Sequence, residues 1–108
     1  MFPKPNHCRR IPKRVDRTKF DNKTRKKIFQ RDDGKCRSCG SPGTQIHHVK
    51  PRGSGQGKGI FTNGVLLCNR CHRRCHEDPE ILRAWQHTFE LEYGKDYFRD
   101  KYDLLGVD

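Results

Sequence analysis

Asn63-Gly64-Val65-Leu66-Leu67-Cys68-Asn69-Arg70-Cys71-His72-Arg73-Arg74-Cys75-His76 carries three apolar residues straight into a Cys-x-x-C pair. A second pair, Cys36-Arg37-Ser38-Cys39, lies upstream. This spacing lets two thiolates reach one tetrahedral ion, and two such pairs complete a structural zinc site on Cys36, Cys39, Cys68 and Cys71. Gly40 after the first pair allows the tight turn that aims both sulfurs inward. The 28 residues between the pairs exceed the interval of a short zinc ribbon, so an insertion with its own task is expected there.

A structural ion also meets a need set by composition. The chain has 108 residues, of which 31% are hydrophobic and 34% charged, and its mean hydropathy is −1.12. A chain this small and polar is not expected to bury a large apolar core, whereas structural zinc contributes on the order of 10 kcal/mol to the folding of small peptides. Disulfides are the other use of six cysteines, but Met1 to Arg14 is basic and proline-rich with no hydrophobic signal region. No apolar run approaches the roughly 20 residues that span a bilayer. A soluble, unsecreted, cytoplasmic protein is expected. Cys8 and Cys75 have no ligand role by spacing; Cys75 is expected on the helix face opposite the metal or as a small buried residue.

The formal net charge is +11 and the isoelectric point about 9.7. Residues 1–31 hold twelve Lys or Arg against two Asp, residues 32–76 eight against two, and residues 77–108 four against nine acidic residues. The first two stretches therefore carry +16 and the last −5. A basic arm followed by a basic middle points to nucleic acid, whereas the acidic tail is expected to pack or to keep the domain soluble. Membrane-surface binding is disfavoured, because the arm has little apolar anchor beyond Met1, Phe2 and Ile11.

Pro3, Pro5 and Pro12 among basic residues predict a flexible arm over the first ~18 positions, extended or disordered until it meets a partner. A short basic helix is expected from Asp21 or Asn22, either a plausible N-cap, to Arg31, stopped by Gly34. Thr44 to Val49 is a strand candidate ended by Pro51, the glycines from Gly53 to Gly64 mark a long flexible turn, and Cys68 to Asp78 forms a helix before Pro79. Leu82, Trp85, Phe89 and Tyr93 then make an apolar helical stripe that packs on the rest of the domain. The divisions expected are an arm at 1–20, a core at 21–78, and an amphipathic helix with acidic tail at 79–108.

The insertion and the helix after it carry histidines. His47 and His48 are adjacent on the presumed strand and so point to opposite faces, leaving one for metal and one for substrate. His72 and His76, four apart on the presumed helix, project from one face and form a pincer. A second metal site on His47, His72 and His76 is geometrically sensible, although His72 or His76 could instead replace a cysteine at the zinc.

Ile46-His47-His48-Val49-Lys50-Pro51, Asn63-Gly64-Val65-Leu66-Leu67-Cys68 and Cys71-His72 together resemble an HNH endonuclease of the zinc-stapled type. The spacings of the His-His pair, the Asn and the His-x-x-x-His pair also resemble those of colicin DNases, which lack the cysteine pairs. The resemblance covers about residues 36 to 76. It implies an α+β fold, a ββα-metal core stapled by a four-cysteine structural zinc, with flanking helices and a basic arm. It further implies a metal-dependent endonuclease hydrolysing phosphodiester bonds of DNA by nicking or double-strand cleavage with little sequence preference. Compact members of this kind are often phage-encoded. A role in phage DNA processing or packaging, beside a terminase or other DNA-processing partner in the bacterial cytoplasm, is the corresponding expectation.

On this resemblance His48, Asn63 and His72 are the catalytic set. A neutral imidazole can take a proton from water near pH 7, which suits His48 as general base, and Asn63 holds the His48 loop or ring in register through an amide that both donates and accepts. A single divalent ion on His47, His72 and His76 acts on a phosphate oxygen and the departing 3′ oxygen. Imidazole-rich ligation favours Ni²⁺, Co²⁺, Mn²⁺ or Zn²⁺ over Mg²⁺, and His47 is a departure, since many members have Asp there. Lys50, Arg52, Arg70, Arg73 and Arg74, close in sequence to the site, are candidates for backbone phosphate contacts. The competing reading is a zinc-containing nucleic-acid-binding module without catalysis.

Overall fold

The computed structural model describes residues 13–52 and 57–105. In chain order they form α1 (Arg14–Arg17), α2 (Asn22–Arg31), β1 (Gln45–His48), a 3-10 turn (Phe61–Asn63), β2 (Gly64–Leu67), α3 (Asn69–Glu77), α4 (Pro79–Tyr93) and α5 (Lys101–Leu104). The architecture is α+β, a two-stranded antiparallel sheet clothed by helices.

Each main element begins where its local chemistry directs. Asp21 caps α2 by accepting from the Thr24 N–H at 2.7 Å, and Asp33 and Gly34, both at positive φ, turn the chain away at its end. Cys68 occupies the cap position of α3. Asp78 ends α3 and caps α4, with Pro79 in the first turn, where its missing N–H costs nothing.

The register pairs Gln45 with Leu67, Ile46 with Leu66, His47 with Val65 and His48 with Gly64. His47, Val65 and Leu67 thus face one side. There α3 and α4 close a core of Val49, Val65, Leu67, Cys71, Cys75, Phe89 and Tyr97. Cys75 is one of these buried small residues. Phe89 is the fully buried member of the α4 stripe, with Trp85 and Tyr93 partly buried against the core. The other side of the sheet, Ile46, Leu66, His48 and Gly64, meets α2 and Phe20. A Cβ on Gly64 would lie 2.5 Å from the Ile28 Cδ1 and 3.0 Å from the Phe20 ring, so only glycine lets these side chains close over the sheet here.

No third strand covers the outer edge of β2 among the described residues. The Asp32 carboxylate instead accepts from the Leu66 N–H at 3.0 Å, the Arg31 guanidinium donates to the Gly64 carbonyl, and the Arg37 N–H donates to the Leu66 carbonyl. Arg31 and Asp32 grip each other through two bonds of 2.8 and 2.9 Å, and the Asp32 side chain is 2% exposed. An ion pair at the end of α2 thus stands in for a missing strand.

Two expectations are revised. The segment expected to be extended or disordered forms α1 in its last part. Arg17 there is buried and paired with Asp100 and Asp103, two carboxylates of the acidic tail that local composition could not reveal. Positions 1–12, with Cys8, lie outside the described residues. The glycine-rich turn is likewise built rather than loose over residues 57–63. Lys58 is 1% exposed with its ammonium 3.0 Å from Asp103, and a Cβ on Gly59 would stand 2.1 Å from the Lys19 carbonyl oxygen.

Replacing Asp32 by Ala strands the Arg31 charge and the Leu66 N–H together. Such breakage of a buried pair is expected to cost about 3 kcal/mol in urea unfolding. A loss under about 0.5 kcal/mol, typical of an indifferent surface site, would show that the β2 edge is held by other contacts.

Candidate functional site

Two clusters of potential metal ligands stand out among the described residues. The sulfurs of Cys36, Cys39, Cys68 and Cys71 lie within 4.8 Å of one another. The turn after Cys36 presents one pair, and the cap and first turn of α3 present the other. All four are free thiols, with Cys39 and Cys68 only 3.7 Å apart. Hydrogen bonds from Ser41 hold the Cys39 thiol down to about 6, while burial pushes Cys71 up to about 12. Crowded sulfurs cannot all ionise beside one another without a cation to offset the repulsion, so this donor set fits a soft ion such as zinc.

The second cluster is His47, His72 and His76, again with one ligand atom from each within 4.8 Å of the others. β1 supplies the first and one face of α3 the other two. Burial, then the neighbouring His72, His76 and His48, push His47 down to about 3, so its ring is neutral at pH 7. Its Nε2 is buried and has no hydrogen-bond partner among the described residues. The Nε2 atoms of His72 and His76 face each other at 3.2 Å, a separation at which they share at most one proton. Three imidazoles whose ring nitrogens converge, one of them a buried nitrogen without a partner among the described residues, fit a divalent cation of borderline softness.

His48 lies on the opposite face of β1. Its ring stacks on Phe20 at 4.3 Å, and its Nε2 is 2.6 Å from the Thr18 carbonyl oxygen. A carbonyl only accepts, so Nε2 carries the proton and Nδ1 is the acceptor of the neutral ring. Burial lowers the His48 pKa, the Thr18 carbonyl opposes this, and the Arg52 charge lowers it further. Asn63 is fully buried, and its amide bonds to backbone. It accepts from the Lys50 N–H at 2.8 Å and donates to the Lys50 and Lys58 carbonyls at 3.3 and 2.9 Å, stitching the chain after His48 to the loop before β2.

His47 and His48 line one cleft of about 650 Å³ although they point to opposite faces. The cleft includes Ile46, His47 and His48, and β1 has no strand on its far side among the described residues, so side chains from both faces reach around that edge. Of the five basic residues proposed from the sequence, Arg52 lines it. Lys50 lies over the Phe98 ring in a separate groove with Arg83 and Lys95. Arg70 lies by the Cys39 sulfur, which raises its pKa, Arg74 lies beside Cys71 and Trp85, and Arg73 is exposed on α3. Lys19 and Arg25, from the arm and α2, line the cleft instead, as does Phe20. Their only signal in the sequence was membership of a basic stretch, which says nothing of direction.

Comparison with known proteins adds to this geometry. The family model of the HNH endonucleases matches residues 36–78. Over 59 residues the chain is 37% identical to the Type IV methyl-directed restriction enzyme EcoKMcrA of Escherichia coli (strain K12), an alignment covering 45% of this chain and 21% of that protein. The chain thus spans about a fifth of the length of that relative.

Metal analysis of purified protein is expected to give two separable equivalents. Cys36→Ser should lose one and melt lower by more than about 10 °C, given the folding free energy of structural zinc. His72→Ala should lose the other with a much smaller change in melting. An unchanged melting temperature for Cys36→Ser would sink the structural role of the cysteine cluster.

Proposed function

We propose that the chain, whose residues 36–78 match the family model of the HNH endonucleases, is a metal-dependent endonuclease hydrolysing phosphodiester bonds of DNA. The observation that carries this reading is the pairing, in one cleft, of three converging imidazoles with a separate histidine whose tautomer is set by a backbone carbonyl. A pure binding module needs neither the orphaned His47 nitrogen nor the polarised His48.

In this reading His47, His72 and His76 hold the divalent ion, and Cys36, Cys39, Cys68 and Cys71 hold a structural zinc. The bound ion supplies Lewis acidity toward a phosphate oxygen and the departing 3′ oxygen. His48 takes the proton of the attacking water on Nδ1, while Nε2–H stays on the Thr18 carbonyl. Asn63 performs no proton transfer; it fixes the backbone that follows His48. His72 belongs to the ion rather than to proton transfer. Lys19, Arg25 and Arg52 bind phosphates along the cleft and orient the backbone without reading bases.

The downward shift of His48 has a definite sign. A base with lowered pKa stays neutral to lower pH than an ordinary imidazole, so the acid limb of kcat should fall below pH 6.5, the usual His value. With supercoiled plasmid and Mg²⁺, Mn²⁺, Ni²⁺ or EDTA in turn, His48→Ala should lose roughly 10²–10⁴-fold in rate. Equal rates for wild type and His48→Ala in every metal would falsify the assignment. Arg25→Gln should weaken DNA binding evenly across sequences and lower the salt slope by about 1, as for one lost phosphate contact. An unchanged slope removes Arg25 from the DNA path.

A further inference from the structure

Resting on the nuclease reading above, we propose that Asp103 of α5, with Asp100, is a clasp that positions the base His48 and the loop held by Asn63 from a single point, making Arg17 and Asp103 positioning residues. One carboxylate oxygen of Asp103 accepts from the Arg17 guanidinium at 2.9 Å, and the other lies 3.0 Å from the Lys58 ammonium. Arg17 immediately precedes Thr18, whose carbonyl engages His48 Nε2 at 2.6 Å. The Lys58 carbonyl accepts from Asn63 Nδ2 at 2.9 Å. Two paths thus leave one side chain, and one ends at His48, the other at Asn63.

The surroundings make the clasp stiff. Asp100 adds a second ion-pair contact, with its Oδ2 2.9 Å from the Arg17 Nε, and Asp100 and Asp103 cap α5 reciprocally. The Gly59 N–H donates to the Arg17 carbonyl at 2.8 Å, and the Lys58 N–H to the Phe98 carbonyl at 3.1 Å. Arg17 and Lys58 are 8% and 1% exposed, and the Asp103 side chain 10%, so these ion pairs act in a medium that screens weakly. A planar guanidinium held by two carboxylates has one orientation, which a flexible ammonium would not reproduce. The acidic tail, expected to pack or to keep the domain soluble, is thereby part of the support of the cleft.

The full chain, metal-loaded, tests this through Arg17→Met, Asp103→Asn and the conservative Arg17→Lys. Rates on plasmid are read as kcat and KM, and the His48 tautomer by ¹⁵N-histidine NMR, with melting temperature and metal content alongside. Arg17→Met and Asp103→Asn should remain folded and lose up to about 100-fold in kcat, the scale of a small misplacement, with KM within about twofold. In both, His48 should shift from pure Nε2–H to a tautomer mixture, and Arg17→Lys should recover part of each signal. Folded variants with wild-type kcat and an unchanged tautomer overturn the proposal. So does a wild type with His48 in the Nδ1–H form, or unfolding of both variants, which makes the clasp an element of the fold alone. A wild type inert toward DNA whose tautomer still depends on Arg17 would remove the nuclease reading and leave the clasp standing.

Discussion

A pair of four-residue strands has too few ladder bonds to hold a register in water, yet the side chains that line the cleft depend on register. A slip of one residue would exchange the faces of His47 and His48. What prevents it lies on the far edge of β2. There the Asp32 carboxylate, the Arg31 guanidinium and the Arg37 N–H take up the groups that a third strand would have bonded. Arg31 also reaches the Phe61 carbonyl and stacks on the Phe61 ring at 4.7 Å, so the same side chain seats the 3-10 turn that presents Asn63. Sheet edge, turn and asparagine are secured by one end of α2.

Charge is sorted by this fold rather than spread over it. Arg17, Arg31, Arg37 and Lys58 are engaged by Asp100, Asp103, Asp32 and Glu92. They hold elements together and contribute little to an outward field. Lys19, Arg25 and Arg52 line the cleft. The 24 Lys and Arg behind the net +11 therefore include four that are engaged in ion pairs between elements and three that face the cleft.

The two ligand clusters differ in how they would tolerate an ion. Four thiols carry their own repulsion and need a cation to be fully ionised, which couples metal binding to folding. Of the three imidazoles, His47 is packed at 4% exposure, and burial keeps its ring neutral at pH 7. The first arrangement suits a staple, the second a site whose ion meets substrate.

Much of this was legible from the sequence because it is local. The Cys-x-x-C pairs, the His-x-x-x-His pincer, the start of α2 at Asp21 or Asn22 and the α4 stripe all depend on spacings within one turn or one strand, and covalent geometry fixes those. The sequence by itself thus determined the two clusters of candidate ligands and the opposite facing of His47 and His48, and its family resemblance the α+β class. Tertiary structure alone decided which basic residues look into the cleft, that Arg17 and Lys58 are buried, that Thr18 holds His48, and that Asn63 grips backbone. Each of these joins residues that lie apart along the chain, as far as 86 positions for Arg17 and Asp103. Such partnerships have no local signature, since an aspartate that closes a clasp and one that faces water read alike until the chain brings an arginine to one of them.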